Sequence, residues 1–106
     1  MTQTELATAL ETLGLPVAYR GFKKPTKPPF ITYLFAYSGD LMADNTNALE
    51  LSNFQIELYT EIKDLVSEAL VQDKLKELFL PYRKVEAWLE DEKLIQVIYE
   101  IQLTGG

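Results

Sequence analysis

The sequence contains neither cysteine nor histidine. The absence of cysteine excludes disulfides, thiolate metal ligands and thiol nucleophiles. The absence of histidine removes the side chain that most often serves as a general base or a metal ligand. A glycine-rich phosphate loop and a G-x-S-x-G nucleophile motif are missing as well. These absences predict a protein that is not an enzyme and that carries no cofactor or metal.

Long apolar runs are also absent, which bears on membranes and export. No apolar stretch approaches the roughly 18 residues that a membrane-spanning helix requires. The N-terminal segment "MTQTELATALETLG" lacks the basic and apolar regions of a signal peptide. We therefore expect a protein that is made in the cytoplasm and has no membrane partner.

Positive charge is scarce, with 10 Lys and Arg against 16 Asp and Glu and a net charge of −6. Nucleic-acid binders gain affinity from cations that neutralise phosphates, so this balance argues against nucleic-acid specificity. One local exception is the segment 23–29, which contains Lys23, Lys24 and Lys27 among three prolines. Proline cannot donate ladder hydrogen bonds, so this segment is expected to be a stiff loop or arm. It is either a docking element for an acidic surface or an ordinary solvated loop.

Apolar periodicity predicts a single domain over residues 1–106 with two helices and about five strands. Thr2 and Glu5 form a capping box for a helix at about 3–13, and Pro81 ends a second helix at about 63–79. Strands are predicted at 17–22, 30–37, 51–60, 85–89 and 94–103, with a hairpin turn at about 90–93. The order α-β-β-β-α-β-β indicates a two-layer α+β domain with a mainly antiparallel sheet. Residues 104–106 are expected to be a frayed end.

Two elements of this prediction have a specific apolar pattern. Strand alternation would put Ile31, Tyr33, Phe35 and Tyr37 on one face. The second helix has a wide apolar stripe made of Leu65, Val66, Ala69, Leu70, Leu75, Leu78 and Phe79. Apolar residues lie on both faces of the strands at 30–37 and 94–103. The uncovered face is therefore sheltered either by the curvature of the sheet or by another subunit.

Oxygen-bearing side chains are concentrated in the segment after the second predicted strand. Asp40 belongs to one turn signal and Asp44 and Asn45 to another, with the apolar residues Leu41 and Met42 in the loop between them. A calcium loop of the EF-hand type that began at Asp44 would need glycine at its sixth position and glutamate at its twelfth. These positions are Leu49 and Gln55, so turn chemistry is the better interpretation. The acidic turn Glu90, Asp91 and Glu92 is likewise interpreted as solvated.

Four segments together carry a resemblance to a known group of proteins. They are "GLPVAYRGF", "PPFITYLFAYSGDLMADN", "FQIELYTEIKD" and "VEAWLEDEKLIQVIYEIQL". As a set, they resemble small structural proteins from the head–tail region of siphophages and prophages of Gram-positive bacteria. In size and layout the chain is similar to tail terminator, or tail completion, proteins.

The resemblance implies a virion protein that closes into a ring, commonly of six subunits, on the end of the tail tube and offers a surface to the head. Its implied partners are other copies of itself, the tail tube and head-completion proteins. On this interpretation the arm at 23–29 (Lys23, Lys24, Lys27) and the loop at 38–47 (Asp40, Leu41, Met42, Asp44, Asn45) supply contacts between subunits or to the tube. A head-completion or adaptor protein of the same module, and a monomeric prophage-encoded binding or inhibitor protein, remain alternatives.

Overall fold

The computed structural model describes residues 1–39, 41–43, 46–49 and 51–104. The helices of this part of the chain are α1 (Gln3–Glu11) and α2 (Leu65–Glu77). Its strands are β1 (Val17–Tyr19), β2 (Phe30–Ser38), β3 (Leu41–Ala43), β4 (Thr46–Leu49), β5 (Leu51–Thr60), β6 (Arg83–Leu89) and β7 (Leu94–Thr104). The predicted α+β class is confirmed. The order of elements is also as predicted once the small β3–β4 hairpin is set aside.

The main sheet has the strand order β1-β2-β5-β7-β6. The pairs β2–β5, β5–β7 and β6–β7 are antiparallel, as expected for strands joined by short connections. The pair β1–β2 is parallel, with Val17 opposite Ile31. The loop at 20–29 returns the chain to the beginning of β1, where the amide of Ile31 donates to the carbonyl of Pro16 at 2.8 Å. The sheet is therefore mixed, with one short parallel edge.

Both helices pack on one face of this sheet and form the core with it. Leu6 and Leu10 of α1 and Val71 and Leu75 of α2 are fully buried. The strands contribute Ile31, Tyr33, Phe54, Ile56, Leu58, Val97, Tyr99, Ile101 and Leu103 to the same cluster. Burying one such leucine contributes about 1.5–3 kcal/mol, so this face accounts for most of the hydrophobic stabilisation. The opposite side of the sheet, which we call the open face, has no helix over it.

The predicted capping box at the beginning of α1 is confirmed. The hydroxyl of Thr2 accepts a hydrogen bond from the amide of Glu5 at 3.1 Å, and the carboxylate of Glu5 accepts one from the amide of Thr2 at 3.0 Å. These bonds lower the pKa of Glu5. Because α1 is short, the cap and the burial of its apolar side hold it in place more than helix propensity does.

Three local predictions were wrong. Leu41 and Met42 do not lie in a loop, because residues 41–43 form β3 and pair with β4. The register of β2 shifts between Phe35 and Tyr37, so Tyr37 pairs with Asn53 on the open face and does not share the face of Phe35. Thr104 is not frayed, because it is the last residue of β7 and is opposite Leu51. Gly105 and Gly106 lie outside the described residues.

Candidate functional site

The three arm lysines project from an anchored loop. Lys23, Lys24 and Lys27 are all exposed. The loop is held to the open face by aromatic contacts, because the ring of Phe22 meets Phe30 edge-on at 5.3 Å and Phe30 stacks on Tyr59 at 4.9 Å. Such ring pairs contribute about 0.5–1.5 kcal/mol each beyond area burial. The three lysines therefore belong to a loop whose position at the beginning of β2 is fixed by these aromatic contacts.

The second predicted contact segment lies at the other end of β2. Leu41 and Met42 belong to β3, which forms a separate two-stranded sheet with β4. Asp40, Asp44 and Asn45 lie outside the described residues. Since β2 has 9 residues, its ends are separated by about 26 Å at roughly 3.3 Å per residue. The lysine arm and the beginning of this hairpin thus adjoin opposite ends of β2.

A hydrogen-bonded network occupies the middle of the open face. The carboxylate of Glu57, which is buried, accepts hydrogen bonds from Thr32 at 2.9 Å, Tyr59 at 3.2 Å and Gln96 at 3.2 Å. Gln96 also donates to the hydroxyl of Tyr59 at 2.9 Å. Burial, followed by the nearby carboxylate of Glu57, raises the pKa of Tyr59, so its hydroxyl remains protonated. Because the donors are neutral side chains of β2, β5 and β7, the network ties the three strands together.

A shallow cleft of about 430 Å³ lies farther along the sheet. Its polar walls are formed by Tyr37 of β2, Arg83 of β6, Glu100 of β7 and the amides of Asn53, Gln55 and Gln102. Amide, phenol, guanidinium and carboxylate groups of this kind can hold a polar surface by hydrogen bonds. Within the described ranges, no group of three His, Cys, Asp or Glu side chains is arranged to hold a metal ion.

The orientation of α2 differs from the prediction. Its buried residues are Ser67, Glu68, Val71 and Leu75, whereas most of the predicted apolar stripe faces away from the core. Val66 is 76% exposed and Leu65 is 68% exposed, and Ile62 just before the helix is 75% exposed. We call Ile62, Leu65 and Val66 the N-terminal patch of α2. Sequence reasoning counted two of these residues as part of the helix's main apolar stripe and did not single out the third.

Glu68 lies on the side of α2 that faces the sheet. Its carboxylate is 3% exposed and forms ion pairs with Lys63 at 2.8 Å and with Lys84 of β6 at 2.6 Å. Burial alone would raise the pKa of Glu68, but the hydrogen bonds from the two lysines lower it. Because residues are spaced at about 100° around a helix, Val66 points to the opposite side when Glu68 points to β6.

The C-terminal end of α2 carries a second exposed apolar residue in an unusual conformation. The amide of Leu80 donates to the carbonyl of Leu75 at 2.9 Å, and that of Phe79 donates to the carbonyl of Lys76 at 3.0 Å. These two bonds form a Schellman motif, in which the position of Phe79 is normally glycine. Phe79 has a φ of 57°, which costs a residue with a side chain about 1–2 kcal/mol. Its side chain is nevertheless 90% exposed.

Two independent costs therefore coincide at Phe79. The backbone is strained, and a large aromatic ring is left in water. Strained positions of this kind occur preferentially at functional sites. Phe79 and the N-terminal patch lie at opposite ends of a helix of 13 residues, about 20 Å apart at 1.5 Å per residue.

Comparison with known proteins adds no relative to this description. The sequence matches no protein-family model, and no curated protein is similar enough to it to count as a match. Among the helices described here, neither has the length and apolar character needed to cross a membrane.

Proposed function

We propose that this protein is a phage virion assembly subunit of the tail-terminator type, which caps the tail tube as a ring and contributes to head–tail joining. The proposal begins from the resemblance of the four sequence segments to head–tail region proteins. The observation that carries it further is that exposed apolar side chains lie in two separate places, at opposite ends of α2. Side chains of this size exposed in groups are typical of protein contact surfaces.

Two different surfaces on one subunit suit a ring. A contact in which each subunit uses the same surface closes after two copies, whereas a head-to-tail contact uses two surfaces and closes only when the rotation completes a circle. The lysine arm adds a third element. Lys23, Lys24 and Lys27 extend from a base fixed by aromatic rings, so docking them on an acidic surface would cost little ordering entropy. We assign this arm to contacts with the tail tube or with a neighbouring subunit.

The function is tested by electron microscopy of phage particles made without this gene. A terminator is required to stop tube growth, so its loss is expected to give tails of uncontrolled length that are not joined to heads. Supplying the wild-type gene on a plasmid should restore uniform tails and joined particles. Normal particles in the absence of the gene would refute the proposal. Uniform tails beside unjoined heads would point to the head-completion alternative.

The arm is tested separately in the same assay. Reversing the charge of Lys23, Lys24 and Lys27 together should lower ring formation or tail joining, because the cations would then repel an acidic partner. Reversing Lys93 is the matched control, since it lies in the β6–β7 turn and pairs with Glu90 of the same turn at 2.5 Å. Unchanged assembly with the triple variant would remove the arm from the contact.

A further inference from the structure

We propose that Phe79 of one copy binds the N-terminal patch of α2 in the next copy, so that α2 carries both halves of a head-to-tail self-contact. This inference rests on the proposed function only for its biological setting, because the contact itself is a property of the isolated chain. The inference identifies the two subunit surfaces that would meet in the assembled ring of subunits and the side chains that each surface contributes.

The first argument is the shape of the two surfaces. Phe79 is a single projecting ring, with 90% of its surface exposed and its backbone held in place by the Schellman motif. The N-terminal patch consists of three exposed aliphatic side chains in the first turn of α2 and in the turn before it. Large side chains that fill a pocket of the partner contribute much of the binding energy at protein interfaces.

The second argument is charge. Lys76 is exposed one turn before Phe79, and Glu61 is exposed beside Ile62. Neither forms an ion pair with another residue in the described part of the chain, whereas Lys63, Lys74 and Lys84 all do. A cation therefore flanks the aromatic end and an anion flanks the aliphatic end. This is the complementary arrangement that a second copy of the same chain would satisfy.

The third argument is strain. Glycine would form the same helix end without the cost of a side chain at φ 57°. Retaining phenylalanine at this position gives the isolated subunit little in return, because the ring touches almost nothing. The ring gains its contacts only when another molecule covers it. Each bound copy still offers a free Phe79 at one end and a free N-terminal patch at the other, so addition continues until the rotation between copies closes a ring.

The contact is tested by measuring the mass of the purified chain by analytical ultracentrifugation over a range of concentrations. The wild-type chain should form assemblies larger than a dimer. Phe79→Gly and Val66→Asp should each weaken self-association by roughly tenfold or more. Tyr37→Ser is the matched control, since Tyr37 is an exposed aromatic residue of β2, away from α2. Circular dichroism of each variant checks that the fold is retained.

Mixing the two variants gives the sharper result. The Phe79→Gly variant keeps the N-terminal patch, and the Val66→Asp variant keeps the Phe79 side chain. A mixture of the two variants should therefore form a one-to-one complex, which neither variant forms alone. Exchanging the flanking charges, as Glu61→Lys with Lys76→Glu, should restore the association that either single change weakens. A wild-type chain that is monomeric at every concentration would overturn the inference, as would a mixture without a complex.

Failure of this inference and failure of the proposed function are distinguishable. The samples for ultracentrifugation contain no phage component. The electron microscopy of particles does not depend on which residues form the contact between subunits. Variants that lose self-association while gene deletion leaves particles normal would refute only the tail function. A monomeric chain whose deletion nevertheless gives overlong tails would refute only the contact. Self-association that is unaffected by Phe79→Gly would also refute the contact. It would assign the aromatic side chain of Phe79 to a different partner, such as the tail tube.

Discussion

Replacing Phe79 with glycine should leave the isolated subunit about as stable as the wild type, whereas removing a packed phenylalanine costs about 3–5 kcal/mol. The difference arises because the side chain is 90% exposed and its backbone has a φ of 57°. Little is lost when the ring is removed, and backbone strain is relieved. The free energy of unfolding of this variant therefore tests whether Phe79 serves the subunit itself or something outside it.

The expected magnitude follows from three contributions. Relief of the left-handed conformation favours glycine by about 1–2 kcal/mol. Only about a tenth of a ring area of roughly 200 Å² is buried, so its loss costs about 0.5 kcal/mol at 25 cal/mol per Å². The greater freedom of glycine in the unfolded chain costs a further 0.4–1 kcal/mol or so. The net change is therefore within about 1 kcal/mol of zero.

The measurement is urea unfolding followed by far-UV circular dichroism at a protein concentration low enough to keep the chain monomeric. Phe79→Ala is the matched variant, because it removes the ring but keeps a Cβ atom in the strained conformation. Glycine should be more stable than alanine at this position by about 1 kcal/mol. If Phe79→Gly instead lowered the free energy of unfolding by about 3 kcal/mol, the ring would be part of the monomer's packing, and its assignment to self-contact would be wrong.

Two further predictions concern the groups that hold the helices in place. Glu68→Gln should lower the free energy of unfolding by about 2 kcal/mol at neutral pH, because the buried carboxylate loses its charge-assisted bonds to Lys63 and Lys84. Since the folded-state pKa of Glu68 is lowered, its contribution is complete above the ordinary carboxyl pKa of about 4.3 and is lost as pH falls through the folded value. In urea titrations at a series of pH values, the free energy of unfolding of the variant should lack the decrease at low pH that Glu68 causes in the wild type. The same decrease in both proteins would refute the assignment. Thr2→Ala should cost about 1 kcal/mol by removing the cap of α1, whereas Thr4→Ala, a neighbouring exposed change without a capping role, should cost less; equal losses in thermal unfolding would contradict the capping argument.

Most of the fold was predictable because the core strands obey simple alternation. In β5 and β7, residues such as Ile56 and Tyr99 face the helices while their neighbours face the opposite side, and this pattern is visible in the sequence. The β6–β7 hairpin and the α1 cap were predictable for the same reason, since each depends on residues close together in the chain. The parallel pairing of β1 with β2 was not, because it depends on the path of the loop at 20–29.

The candidate contact surface was harder to predict because it depends on the rotation of α2. In the observed rotation Glu68 faces Lys84 of β6, 16 residues away, and periodicity within the helix does not reveal such a contact. Most of the apolar stripe that the sequence predicts for α2 therefore lies on the surface. The sequence contains one weak indication of the exposed Phe79. The residue that ends the helix shortly before Pro81 is phenylalanine and not glycine.

The position of β6 has a consequence for how copies of this protein meet. It is one of the two edge strands of the main sheet, with β7 on its paired side, so the backbone groups along its other side can pair with a strand of another molecule. Arg83, Lys84 and Glu86 line this edge, and charged side chains at a strand edge oppose such addition. Addition of strands at this edge, which would join copies of the chain without limit, is therefore disfavoured.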